Sequence, residues 1–292
     1  MKFLAAFAAL VAAMAFCGTG ARAVSYSYDR GAPLEVVTDD TREDGGIRID
    51  EISFRAGDRE VHASLVHPKD QIGKMPGVLF AHWLGDPATT NRTEFLADAM
   101  WLARRGVVSL LPDEPWSVPH WFDRVRSAST DERDSIADVI ALRRSLDALL
   151  ATPGVDRDRI AYVGHDFGAM YGALLAGTDS RLAYAVFMAP TTTLSEWFLL
   201  DTKRPPSDTA AYLAQMSAFD ISAALARATF RGSLLQFAAH DEFVPAAKAR
   251  AFASAAPGAD RTVTTYDTDH ALAIDAATDD RRTWLAAHLG VR

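Results

Sequence analysis

The segment Gly164-His165-Asp166-Phe167-Gly168 constrains this chain more than any other. The apolar run Arg159-Ile160-Ala161-Tyr162-Val163 before it reads as a buried strand, and Ala169 to Leu175 after it reads as a helix. A strand that passes directly into a helix needs a sharp, strained turn, and glycines flanking the central residue remove the Cβ atoms that would block it. The form is G-x-Nuc-x-G, whose central side chain stands above a sheet at the positive end of a helix. Here that residue is an aspartate. A carboxylate attacks saturated carbon to give an alkyl ester, whereas its attack on an acyl group gives only a labile anhydride. Taken alone, the pentapeptide also reads as an ordinary glycine-rich turn.

Two further groups follow in the order that such a turn calls for. The strand pattern Gly232 to Ala239 runs into His240-Asp241-Glu242-Phe243-Val244-Pro245, and Arg261 to Tyr266 runs into Asp267-Thr268-Asp269-His270-Ala271-Leu272. Asp241 is the candidate acid and His270 the candidate base, each at a strand end. Each alone also reads as a helix cap; the order nucleophile, acid, histidine favours a triad. Stabilising a developing oxyanion takes backbone N–H groups. Phe167 follows the nucleophile, and the strand pattern Pro76 to Ala81 leads into His82-Trp83-Leu84-Gly85-Asp86, which makes Trp83 the expected second donor. His82 reads as a residue that orients this loop or lines the pocket.

Together these residues resemble the α/β-hydrolase superfamily over nearly all of the chain after its first residues. The elbow Gly164 to Gly168 is similar to that of haloalkane dehalogenases and epoxide hydrolases, whose aspartate is the nucleophile. Asp241 to Pro245, Asp269-His270-Ala271-Leu272 and the strand from Glu60 to His67 look more like dienelactone-hydrolase-type and prolyl-oligopeptidase-type hydrolases, which use cysteine or serine. The resemblance implies an α/β-hydrolase fold: a doubly wound, mostly parallel sheet with a short lid insertion.

The first residues read as an export leader. Lys2 gives the positive end, Phe3 to Phe16 the short apolar run, and Ala21-Arg22-Ala23 the cleavage site, so residues 1–23 are an expected signal peptide removed after Ala23. The expected address is periplasmic or secreted, with no membrane anchor after cleavage. Cleavage removes Cys17, the one cysteine, which excludes thiol chemistry and disulfides. Residues 24–292 suit a single domain. The formal charge of −8, with no basic stripe, argues against nucleic acid and anionic membranes as partners. The expected partner is a small-molecule substrate, and no cofactor is expected. Asp113, Glu114 and His120 have no recognised metal-ligand spacing, so no metal site is expected. The sequence carries no signal for oligomeric state.

Along the rest of the chain, residues 24–46 read as a polar, irregular arm. Strand patterns near Ile47 to Phe54 and Glu60 to Val66 precede the one ending at His82. Helices are expected near Glu94 to Arg105 and Asp134 to Leu150, with the strand Val107 to Leu111 between them and Tyr184 to Ala189 further on. Two segments break the alternation of strand and helix: the proline- and aromatic-rich Pro112 to Phe122, and residues 190–231, read as a lid. Trp116, Trp121, Trp197 and Tyr212 in these segments are candidate pocket residues, though each also suits ordinary packing.

Three functions fit. In the first, Asp166 attacks an sp³ carbon, a halide or epoxide oxygen leaves, and His270, oriented by Asp241, activates a water that hydrolyses the enzyme ester. In the second, Asp166 is a general base for ester or lactone hydrolysis. The third is a degenerate hydrolase kept as a binding protein, which would not need all three groups at strand ends.

Overall fold

A computed structural model describes residues 24–70, 73–85, 92–200 and 202–292. The expected leader, residues 1–23, lies outside the described residues. Among the described residues nine strands form one sheet: β1 Val37–Asp44, β2 Ile47–Ala56, β3 Arg59–Pro68, β4 Met75–Ala81, β5 Val108–Pro112, β6 Val155–His165, β7 Tyr184–Met188, β8 Gly232–Ala238 and β9 Asp260–Tyr266. Their order is β1-β2-β3-β5-β4-β6-β7-β8-β9. The pairings from β1 through β3 to β5 are antiparallel, and from β5 onward all are parallel. The main helices are α1 Leu96–Ala103, α2 Ala128–Ala151, α3 Phe167–Ala176, α4 Leu194–Leu199, α5 Thr209–Met216, α6 Ile221–Leu225, α7 Ala246–Ala255 and α8 Asp275–Leu289.

The inner parallel strands are largely apolar because both faces of the sheet are covered there, whereas the edge strand β9 is mostly exposed. Every residue of β4 is buried. Its side chains alternate: Leu79 and Ala81 join the core with Leu142 and Leu146 of α2, while Val78 and Phe80 join that with Leu102 of α1 and Leu285 of α8. The first turn of α2 is capped by Ser127, whose Oγ accepts the Thr130 N–H at 3.3 Å. The helix therefore begins six residues before the apolar periodicity becomes visible.

Residues 37–44 correct the reading of an irregular arm. They form β1, paired antiparallel with β2, although every one of its side chains is exposed. With no face to bury, the strand has no apolar alternation. The legible signal is Gly45-Gly46, whose φ values of 55° and 82° make the tight hairpin turn between the two strands.

The stretch between β7 and β8 folds into α4, α5, a 3₁₀ turn at Ser217–Phe219, and α6. Asp208 and Asp220 cap α5 and α6 through N–H groups of Ala211 and Ala223, both at 2.9 Å. Helix α5 packs on α2, and α6 packs on α3 and α7.

Candidate active site

Asp166 lies between β6 and α3 with φ 52° and ψ −113°. Such a conformation in a non-glycine residue costs on the order of 1–3 kcal/mol and persists only where its surroundings impose it. Here the Asp166 N–H donates to Met188 O of β7 and its carbonyl accepts from Met170 of α3, both at 2.9 Å. A Cβ on Gly164 would lie 2.5 Å from the Gly168 carbonyl carbon, and one on Gly168 would meet the carbonyl oxygen of Ala81. Both flanking glycines are required by contact.

The Asp166 carboxyl is 2% exposed. Its Oδ2 accepts the Leu84 N–H at 3.0 Å, and the Phe167 N–H at the start of α3 also favours the charged form. Its Oδ1 is buried with no hydrogen-bond partner among the described residues. Burial pushes the group up to about 6, against the pull of His270, His165 and the two N–H donors.

His270 Nδ1 lies 2.8 Å from Asp241 Oδ2. Asp241 is itself fixed, since its Oδ1 accepts the N–H groups of Phe243 at 2.9 Å and Val244 at 2.8 Å. The residue thus both caps a turn and holds the histidine. Burial raises the Asp241 carboxyl, but the hydrogen bonds and the His270 charge outweigh it and hold the group below its ordinary value. Burial lowers the His270 imidazole, yet the bond to Asp241 and the charge of Asp166 leave it above its ordinary value.

Asp166 and His270 open on a cavity of about 150 Å³ walled by Trp83, Leu84, Phe122, Trp197, Leu200 and Phe243. Of the four aromatic residues named from the sequence as pocket candidates, Trp197 lines it. Trp121 stands one layer behind, edge-on to Phe167 at 5.2 Å. Trp116 is core: its ring packs on Tyr171 at 5.2 Å, and its Nε1 donates to the His82 carbonyl at 2.9 Å. The Tyr212 hydroxyl donates to Asp131 Oδ2 at 2.8 Å, away from the cavity. Large aromatic side chains bury the most area, so most of them close the fold. His82 is 2% exposed; Nδ1 donates to Trp83 O at 2.8 Å, and Nε2 accepts the Glu114 N–H at 3.2 Å and meets Ser117 Oγ at 2.8 Å. It anchors the loop after β4 and does not line the cavity.

The expected Trp83 N–H donates instead to Glu94 Oε2 at 2.8 Å, and the donor that faces Asp166 is one residue later, at Leu84. The turn of the loop after β4 decides which N–H points inward, and sequence does not show it. Asp113 pairs with Arg92, and His120 is exposed. Sequence reading also passes over Phe122 and Phe243, each beside a residue it singled out, and over Glu94 and His165.

No protein-family model matches the sequence, and no curated protein matches it. Solved structures do match the fold. An acetyl xylan esterase from Paenibacillus sp. R4 superposes with a TM-score of 0.70 at 19% identity, over 88% of this chain and 89% of that one. The fold is the α/β-hydrolase fold. Acetyl xylan esterase 1 from Thermoanaerobacterium sp. JW/SL YS485 gives 0.65 at 14% identity, over 89% of each chain. A protein of Klebsiella pneumoniae subsp. pneumoniae MGH 78578 assigned as a dienelactone hydrolase gives 0.56 at 16%, over 80% of this chain and 93% of its own.

Proposed function

We propose that this chain is a hydrolase that forms an alkyl ester on Asp166. The observation that carries the reading is the state of the carboxylate: Oδ2 held by the Leu84 N–H, Oδ1 buried and unpartnered among the described residues. Oδ1 attacks a saturated carbon of the substrate, and the bond to the leaving group breaks with its electron pair. His270, whose Nδ1 is engaged by Asp241, takes a proton from water through Nε2. The hydroxide adds to Cγ of Asp166, and charge develops on Oδ2, where the Leu84 N–H already stands. Collapse expels the alkoxide, which takes the proton from His270 and leaves as the alcohol, and the carboxyl group restores its carboxylate by losing a proton to solvent. Alkylation also removes the Asp166 charge, one of the influences that keep the proton on His270. The intermediate therefore makes its own base.

The leaving group departs as a stable anion such as a halide. An alkoxide from an epoxide needs a proton donor, and Tyr212 is committed to Asp131. Among the described residues no tyrosine lines the cavity, whereas two indoles, Trp83 and Trp197, do. The small apolar volume suits a substrate of a few carbons. We also propose that the protein is exported, through cleavage of the leader after Ala23. N-terminal sequencing of the exported chain tests it, and a mature protein beginning at Met1 overturns it.

The structural neighbours that are esterases favour a second reading, in which Asp166 is a general base on water for ester hydrolysis. Against it, the Leu84 N–H, which would receive a substrate carbonyl oxygen, already holds Asp166 Oδ2. A single turnover in ¹⁸O-water separates the two. Heavy oxygen in the peptide carrying Asp166 supports the alkyl-enzyme; label only in an acid product overturns it.

A further inference from the structure

His165, the second residue of the elbow, is fully buried and stacks parallel to Trp83, ring centroids 5.0 Å apart. Its Nε2 lies 3.0 Å from the carbonyl oxygen of His270, and its Nδ1 lies 2.8 Å from Glu94 Oε1. A carbonyl only accepts, so Nε2 carries a proton and the orientation of the ring is fixed. The other oxygen of Glu94 accepts the Trp83 N–H at 2.8 Å. One carboxylate and one imidazole thus join three segments far apart in sequence: the loop after β4, the elbow, and the loop after β9. Each segment supplies one working group, namely the Leu84 N–H, Asp166 and His270.

We propose that Glu94 and His165 are positioning residues that hold the Leu84 N–H and His270 in place around Asp166. Neither lines the cavity, so neither meets substrate. Their effect falls on the alignment of reacting groups, where a displacement near 1 Å costs roughly 10²-fold in rate. The reaction that serves as readout rests on the function proposed above; the placement of the loops does not.

The test compares Glu94→Ala, Glu94→Gln and His165→Phe with the parent chain, using bromide release from 1-bromopropane and cleavage of 4-nitrophenyl acetate. Glu94→Ala and His165→Phe are expected to lower kcat about 10²-fold with KM changed less than about threefold. Glu94→Gln stays within about fivefold of the parent, because its amide oxygen still accepts from Trp83 and its N–H₂ can donate to His165 Nδ1. Full activity in Glu94→Ala, a change in KM alone, or a glutamine no better than alanine overturns the proposal. If the parent cleaves neither probe, the proposed reaction fails, and positioning is read from amide hydrogen exchange in the peptide carrying Trp83 and Leu84. Exchange there is expected to quicken about tenfold in Glu94→Ala and not in Glu94→Gln, at similar Tm. Equal exchange in all three chains overturns it.

Discussion

The two ends of the parallel sheet carry very different hollows. Where β4, β5 and β6 begin lies the larger, about 620 Å³, with Lys74, Arg104, Arg105, Arg159 and Arg292 in its wall. Where the strands end lies the cavity of about 150 Å³ that holds Asp166 and His270. At the larger one the left-handed backbone falls on Gly45, Gly46 and Gly106, where it costs little. Two of its cations are occupied structurally: Arg159 bonds Asp156 and the carbonyls of Leu289 and Lys74, and Arg105 lies over the Trp101 ring. At the smaller one Asp166, a non-glycine residue, is left-handed, and at the same end of the sheet so are Ala189 after β7 and Leu272 in the loop after β9. Strain and desolvation, not open volume, mark the place where the fold holds groups in costly states.

The comparison breaks first at Asp166. Asp166→Asn is expected to lower turnover by about 10⁴-fold or more, as loss of a covalent catalyst does. Its stability moves the other way. The folded carboxyl titrates at about 6 against an ordinary 3.8, so folding favours the neutral form. That preference is fully present below pH 3.8 and is lost as pH rises through 6, where ionisation costs the fold on the order of 3 kcal/mol. Asparagine escapes the cost, so thermal scans at pH 5 and pH 7.5 should show the variant gaining on the parent at the higher pH. A gap independent of pH would show that the carboxyl is not desolvated as described.

At His270 the expected loss is about 10²- to 10⁴-fold in turnover for His270→Gln, with the first step preserved. Intact-mass measurement with 1-bromopropane should then show a stable propyl adduct on the protein. Lost activity with an unchanged mass would leave the general-base reading standing. The rate of adduct formation in this variant should also fall about tenfold for each pH unit below the Asp166 pKa, because a protonated carboxyl does not attack. Replacing His270 removes one influence that lowers that pKa, so the fall should begin above pH 6.

Much of this architecture is legible in the sequence, and the failures share a cause. Strands β4 to β8 are readable because burial on both faces makes much of each an apolar run, and Asp166 and Asp241 are readable because each follows such a run; His270 is readable from the β-branched residues of β9, although most of that strand is exposed. β1 is not, since an exposed edge strand needs no pattern beyond its turn. Glu94 lies 71 residues from His165, and nothing local to either announces the other. The shift from Trp83 to Leu84 depends on the direction of one peptide plane. Tyr212 looks like a lid residue until the buried Asp131 of α2 is seen to take its hydroxyl. What is lost is pairing across space.

Tyr212 sharpens the assignment of the leaving group. Tyr212→Phe removes a hydroxyl bonded to a buried carboxylate, which should cost about 1–3 kcal/mol of stability. Arg124 and Arg126 still hold Asp131 at 3.0 and 3.1 Å, which keeps the loss at the lower end. Bromide release should stay within about threefold of the parent, since a halide needs no proton. A loss near 10²-fold in kcat with the fold intact would instead make Tyr212 a proton donor and reopen epoxide opening.

The smallest effect is expected at the other end of the sheet. Arg104 is exposed on the wall of the large hollow, just past the end of α1. If volume were the guide to function, removing a cation from that wall would disturb ligand binding. If strain and desolvation are the guide, Arg104→Ala touches neither Asp166 nor the loops that hold it. Its stability should change by no more than about 0.5 kcal/mol, the usual range for an exposed side chain away from special features. Turnover of 1-bromopropane and adduct formation on Asp166 should both match the parent. A clear drop in either, at unchanged Tm, would mean that the two ends of the sheet are coupled and that the larger hollow takes part in the chemistry of the smaller.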